Sequence, residues 1–278
     1  MAGVKRDYQG KEKTRADAAP RNAYTSMFEH FRDELDEHHD RRMKIQKVSR
    51  DVTALSKKII FSLQRVRKLQ QPIPARIQSE MDERMQEIVA QLATIEADVQ
   101  GMNRHRYNMP CLEEFAEAVS FAHYLRHQAL ITPAQLSAAL PLASRALDLT
   151  PAEYVFGIFD LTGEMMRFAT SVTALTGAVP RGGGDGEVKS IDESSAGGGG
   201  GRTILEDLQD VSSMLLVSPP LGGGGGKFNT WTKKTDTMVE QVRKVERLAY
   251  GVTVRGNERP KGWMPDLDED PRGGDGGE

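Results

Sequence analysis

The sequence predicts an all-α protein: a seven-helix bundle with one very long N-terminal helix and two Gly-rich loops. Three observations carry this reading. Apolar residues recur three and four positions apart through most of the chain, the spacing of one helical face. No segment alternates with period two for long enough to argue a strand. Gly-rich stretches, which have too little side chain to bury a core, break the pattern at two internal places.

The elements follow in order. Residues 1–22 are polar and basic and are expected to be disordered; Lys5, Arg6, Lys11, Lys13 and Arg15 read more simply as a tail than as a nuclear address. From about 24 to 69 the chain holds no Gly or Pro, and its apolar stripe runs through Phe28, Phe31, Leu35, Ile45, Val48, Val52, Leu55, Ile59, Leu63 and Val66. One helix of that length is too long to be buried end to end, so it is expected to pack against another subunit as well as its own bundle. Pro72 and Pro74 end it. A second helix is expected over about 75–102 and a third over about 111–130. Thr132-Pro133 and Thr150-Pro151 each read as an N-cap followed by Pro at the first helical position. They start a short fourth helix and a long fifth that fades near Gly177. The sixth and seventh are expected over about 203–216 and 230–250. The helical domain therefore spans 23–252, with flexible insertions at 181–201 and 218–227 and a flexible tail at 253–278.

Composition bounds the function. The 278 residues are 38% hydrophobic and 28% charged, enough for one sizeable core. The single cysteine, Cys111, excludes an internal disulfide and a Cys-based zinc site and suits a reducing compartment. Without an apolar leader or a run of 18 apolar residues, a soluble, intracellular protein is expected, with no membrane partner; the compartments expected for it are cytoplasm and nucleus. The net charge of −3 hides an asymmetry: residues 1–70 hold 17 Lys/Arg against 10 Asp/Glu. Between Arg41 and Lys68 there are ten basic residues and one acid, Asp51. Arg41, Arg42, Lys44, Lys47, Arg50, Lys57 and Lys58 are the candidate contacts to a nucleic-acid backbone, since so strong a bias exceeds what a solvated face requires.

The chemistry is expected from acids in apolar surroundings. Asp160 and Glu164 stand four apart in Tyr154-Val-Phe-Gly-Ile-Phe-Asp-Leu-Thr-Gly-Glu-Met-Met-Arg-Phe168, with no other acid between Glu153 and Asp185. Side chains four apart on a helix are neighbours. In Cys111-Leu-Glu-Glu-Phe-Ala-Glu117, Glu117 shares a face with Glu113 or Glu114. A shared proton, an arginine (Arg50, Arg126 or Arg167) or a divalent cation would each offset the repulsion. Hard oxygen ligands select Mg²⁺, with Mn²⁺ as substitute, over zinc. A di-iron carboxylate bundle would need Glu three residues before a histidine, and none of the six histidines has it.

Taken together, Phe31-Arg-Asp-Glu-Leu-Asp36, Val48-Ser-Arg-Asp-Val-Thr53, Glu114-Phe-Ala-Glu-Ala-Val-Ser-Phe121, Phe159-Asp-Leu-Thr-Gly-Glu-Met-Met-Arg167 and Val254-Arg-Gly256 resemble the catalytic branch of the translin family over about 24–262, the Gly-rich loops excepted. The resemblance implies a translin-type bundle that assembles with translin into a hollow hetero-oligomer. It implies a Mg²⁺-dependent endoribonuclease acting on single-stranded RNA, with single-stranded DNA as a further ligand, in small-RNA passenger-strand removal or tRNA processing. The family's metal-binding and catalytic acids fall on Glu114, Glu117, Asp160 and Glu164, leaving Glu113 as an exposed neighbour. The rival expectation is a non-catalytic scaffold that binds nucleic acid and stabilises translin.

Overall fold

A computed structural model describes residues 22–142, 147–183, 201–218 and 226–255. The basic tail before residue 22, most of the two Gly-rich insertions and the segment after 255 lie outside the described residues. Within them the protein is all-α. Its helices are α1 (Thr25–Leu63), α2 (Ala75–Ala93), α3 (Asn103–Arg106), α4 (Cys111–His127), α5 (Pro133–Ala138), α6 (Pro151–Thr176), α7 (Ile204–Val217) and α8 (Gly226–Arg255). The eighth helix beyond the expected seven is α3, a single turn inside the loop between Gly101 and Pro110. Among the described residues the only extended pairing is an isolated bridge between Arg181 and Thr203, and no helix is long and apolar enough to cross a membrane.

Two helices stop earlier than their apolar stripes suggest. α1 ends at Leu63 rather than 69 because the chain turns to bury Val66, Leu69 and Ile73. The Arg67 guanidinium donates to the Gln64 carbonyl at 2.7 Å, and Gln70, in the left-handed region at φ 54°, donates its amide to the Leu125 carbonyl at 3.0 Å. α2 ends at Ala93, yet Ile95 and Val99 are fully buried through the turns that follow. A continuous stripe thus outlasts its helix where irregular backbone can bury the same side chains.

The starts are better defined. Thr132, Thr150 and Thr203 each accept from the backbone amide three residues on, while Gln135, Glu153 and Glu206 reach back to the N-cap amide. This reciprocal capping satisfies two orphan donors at the start of α5, α6 and α7. Arg104 adds a bidentate contact to Glu153, at 2.8 and 2.6 Å, fixing the first turn of α6. Gly177, at φ 73°, closes the same helix with its amide on the Thr173 carbonyl.

The chain divides into two compact units, residues 1–45 and 46–278. In the described part of the first, Tyr24, Met27, Phe28, Phe31 and Leu35 form an exposed apolar stripe. In the second, α6 is the central element, packed on α4, α7 and α8. Its core side chains, Phe156, Phe159, Leu161, Met165, Phe168 and Val172, alternate with the acids at helical spacing. A Cβ on Gly157 would lie 2.6 Å from the Ala116 Cβ and 3.2 Å from the Glu117 backbone nitrogen. Absence of a side chain there sets how closely α6 approaches α4.

Candidate active site

That close approach decides where the acids meet. Glu114 lies in the first turn of α4 and Glu117 in the next; Asp160 and Glu164 follow Gly157 by one and two turns of α6. Glu117 is 9% exposed, Glu164 is likewise buried, and Glu114 and Asp160 are partly open. Among the described residues Glu117 has no hydrogen bond or ion pair. Burial first, then the negative charges of Asp160, Glu164 and Glu114, push its carboxyl up to about 8. The other three acids of the sequence reading are therefore all within electrostatic reach of Glu117. Glu113, expected to be an exposed neighbour, is half-buried instead; burial raises its carboxyl as well, with Lys234 acting in the opposite sense.

The other three acids have cationic or amide partners. Lys57 Nζ stands 3.3 Å from Glu114 Oε1. Lys234 Nζ, from α8, contacts both Asp160 oxygens at 2.5 and 2.6 Å and lies 5.6 Å from the Phe156 ring centre. Glu164 accepts from Gln64 Nε2 at 2.8 Å and from Arg167 at 2.7 Å. Of the arginines considered from sequence, Arg167 is thus a partner, whereas Arg126 turns away to Gln78 at 2.7 Å. Lys234 and Gln64 were missed. Lys234 sits on the buried stripe of α8 between Trp231 and Met238, and a charge on an apolar stripe was the available signal. Gln64, just past the end of α1, offered none.

The donor set fits a hard divalent cation by type, since every candidate is a carboxylate oxygen. It fits by charge too: an unpaired acid whose proton is held by burial and then by neighbouring negative charges marks a place where added positive charge would be stabilising. The side chains do not form a ready chelate. Among the described residues no three His, Cys, Asp or Glu side chains are grouped to hold an ion, and Lys234 holds Asp160.

The candidate nucleic-acid contacts fall in both units. Arg42 and Lys44 are exposed in the first, where Arg41 is engaged by Glu37 at 2.5 Å. Lys47, Arg50, Lys57 and Lys58 are exposed in the second. Of these, Lys57 borders the acids.

An all-α bundle built around paired acids on adjoining helices is the class of protein defined by this geometry. The translin family model matches residues 40–256, and the chain belongs to that family. Among curated proteins it is similar to translin-associated protein X of Rattus norvegicus, at 26% identity over 90% of this chain and 86% of the relative. The Mus musculus protein of the same name gives the same figures. A translin-associated protein X homolog of Schizosaccharomyces pombe is 30% identical over 50% of this chain and 58% of its own length. Among solved structures, the crystal structure of AfC3PO shares the fold, with a TM-score of 0.53 and 17% identity, over 82% of this chain and 97% of that one.

Proposed function

We propose that this chain is the catalytic subunit of a metal-dependent endoribonuclease, assembled with translin and acting on single-stranded RNA. The observation that carries the reading is Glu117: buried, unpaired and surrounded by Glu114, Asp160 and Glu164. Mg²⁺, or Mn²⁺ in its place, would be held by these four carboxylates and would supply Lewis-acid activation of water and charge neutralisation at the leaving oxygen. The chain's own residues do the rest. Lys57 and its neighbours on α1 hold the phosphate backbone, and Arg167 and Gln64 orient Glu164 by hydrogen bonds. Membership of the translin family and the name of its curated relatives support translin as the partner.

The test is cleavage of a single-stranded RNA by the assembled complex with Mg²⁺, with Mn²⁺ and with chelator. Glu117→Ala and Asp160→Ala should each abolish cleavage while leaving assembly and RNA binding largely intact. Undiminished cleavage by either variant would refute the site. A second reading, a non-catalytic scaffold for translin, draws on the pairs Lys57–Glu114, Lys234–Asp160 and Arg167–Glu164, which satisfy three acids without any metal. It would be favoured by a wild-type complex that assembles but cuts RNA under no divalent ion.

A further inference from the structure

The exposed side of α1 next to the acids carries one residue that neither the core nor the charge pattern explains. Phe61 is 70% exposed. An isolated exposed apolar residue is ordinary, but its neighbours on the helix are not. Lys57, four residues earlier, contacts Glu114, and Gln64, three residues later, contacts Glu164. The Gln64 amide still donates to the Ile60 carbonyl at 2.9 Å, so helical geometry persists through this position. At 100° per residue, positions 57, 61 and 64 fall within about 60° of one another around the axis. Along the axis the ring therefore falls between two side chains that reach acids on α4 and α6, and around the axis it lies at the solvent edge of their strip. Arg50 and Lys47 continue the same strip toward the N-terminus, and both are exposed.

We infer that Phe61 is a stacking platform for one nucleobase of a single-stranded RNA, seating the adjoining phosphate at Glu114, Glu117, Asp160 and Glu164. This rests on the nuclease reading above and deepens it. A phosphate backbone following Lys47, Arg50 and Lys57 gives attachment without position, because a cationic row is tolerant of sliding. A ring beside the acids supplies the missing register. Every base has a π-face, so stacking is indifferent to sequence, yet it requires a base that is not already paired and stacked in a duplex. Phe61 is thus a positioning residue that selects single strands and fixes which phosphodiester meets the acids. Proteins that hold single-stranded nucleic acid without sequence preference combine these same two parts, a basic track and an aromatic face.

The experiment uses the full chain assembled with translin, in chelator so that no RNA is cut. Its probes are a fluorescein-labelled oligouridylate and a strand of equal length made of abasic nucleotides. Phe61→Ala and Phe61→Leu should each weaken oligouridylate binding about tenfold, the size of one lost base stack, and leave abasic binding unchanged. Phe61→Tyr should bind both probes as the wild type does, and sedimentation should show all variants assembled. Binding by Phe61→Leu equal to wild type would overturn the inference, since leucine keeps the apolar contact and loses only the π-face. Equal weakening on both probes, or loss of assembly in the alanine variant, would also overturn it, the latter making Phe61 a subunit contact. A wild-type complex that binds neither probe overturns the nuclease reading and this inference together. Wild-type binding in chelator and cutting once Mg²⁺ replaces the chelator, with Phe61 variants that bind as the wild type does, overturns the inference alone.

Discussion

Glu117 is the residue on which the electrostatics turn. An ordinary glutamate releases its proton near 4.5, but this one is pushed up to about 8 by burial and by Asp160, Glu164 and Glu114. Between those two values the folded, metal-free chain carries a proton that the unfolded chain lacks. Stability is therefore at its full value below about 4.5 and falls as pH rises through 8. In chelator, the urea midpoint should be lower at pH 8.5 than at pH 5.5, and Glu117→Gln, which stays neutral throughout, should flatten that decline. An unchanged slope in the variant would mean that Glu117 is not the group responsible. Glu117, Asp160 and Glu164 were legible in the sequence, because carboxylates inside apolar helices are rare and a helix puts residues four apart on one face; spacing left Glu113 and Glu114 equivalent, and only the family resemblance chose Glu114. Their partners were less legible. Lys234 is 74 residues from Asp160, and its place on the apolar stripe of α8 says that it is partly buried but not which acid it meets.

At the scale of elements, the site depends on how nearly α4 and α6 can touch. Gly157 permits that approach, at the expense of the backbone freedom a helical glycine loses on folding. With 2.6 Å between its ideal Cβ and the Ala116 Cβ, Gly157→Val should force the two helices apart. A loss of about 1–3 kcal/mol in unfolding free energy is expected from such overpacking, together with a drop in Mg²⁺-dependent cleavage larger than the stability loss explains. Chemical denaturation and single-turnover cleavage measured side by side would check this. Sequence reading found every helix but the single turn of α3, and the capped starts of α5 and α6, since Thr-Pro is a local signal. It placed the ends of α1 and α2 too late, because Val66, Leu69, Ile95 and Val99 keep the apolar spacing after the backbone has left the helix. The role of Gly157 was hidden for the opposite reason: a missing side chain matters only relative to a neighbour that folding brings up.

At the scale of the molecule, a basic strip and an acid cluster coexist on a chain whose formal charge is only −3. The strip is what RNA would meet first, and its contribution should appear as salt dependence. If four of its residues contact phosphates, affinity for a single strand should fall about fiftyfold between 50 and 200 mM salt. Anisotropy titrations across that range would measure the slope, and Lys47→Ala with Arg50→Ala should reduce it. A slope near zero would remove the strip from the account. The overall helical architecture was readable from periodicity alone, whereas the pairing of α1 side chains with acids more than fifty residues away was not, since periodicity fixes faces and says nothing of which faces meet.

The central claim is that four carboxylates from α4 and α6 hold a divalent cation, with Lys234 yielding Asp160 to it. Electron paramagnetic resonance of Mn²⁺ titrated into the assembled complex tests this without reference to activity. The account predicts saturable loss of the free-ion signal with the wild type and its disappearance in Glu117→Gln and Asp160→Asn, both still assembled. Equal Mn²⁺ uptake by wild type and both variants would contradict it.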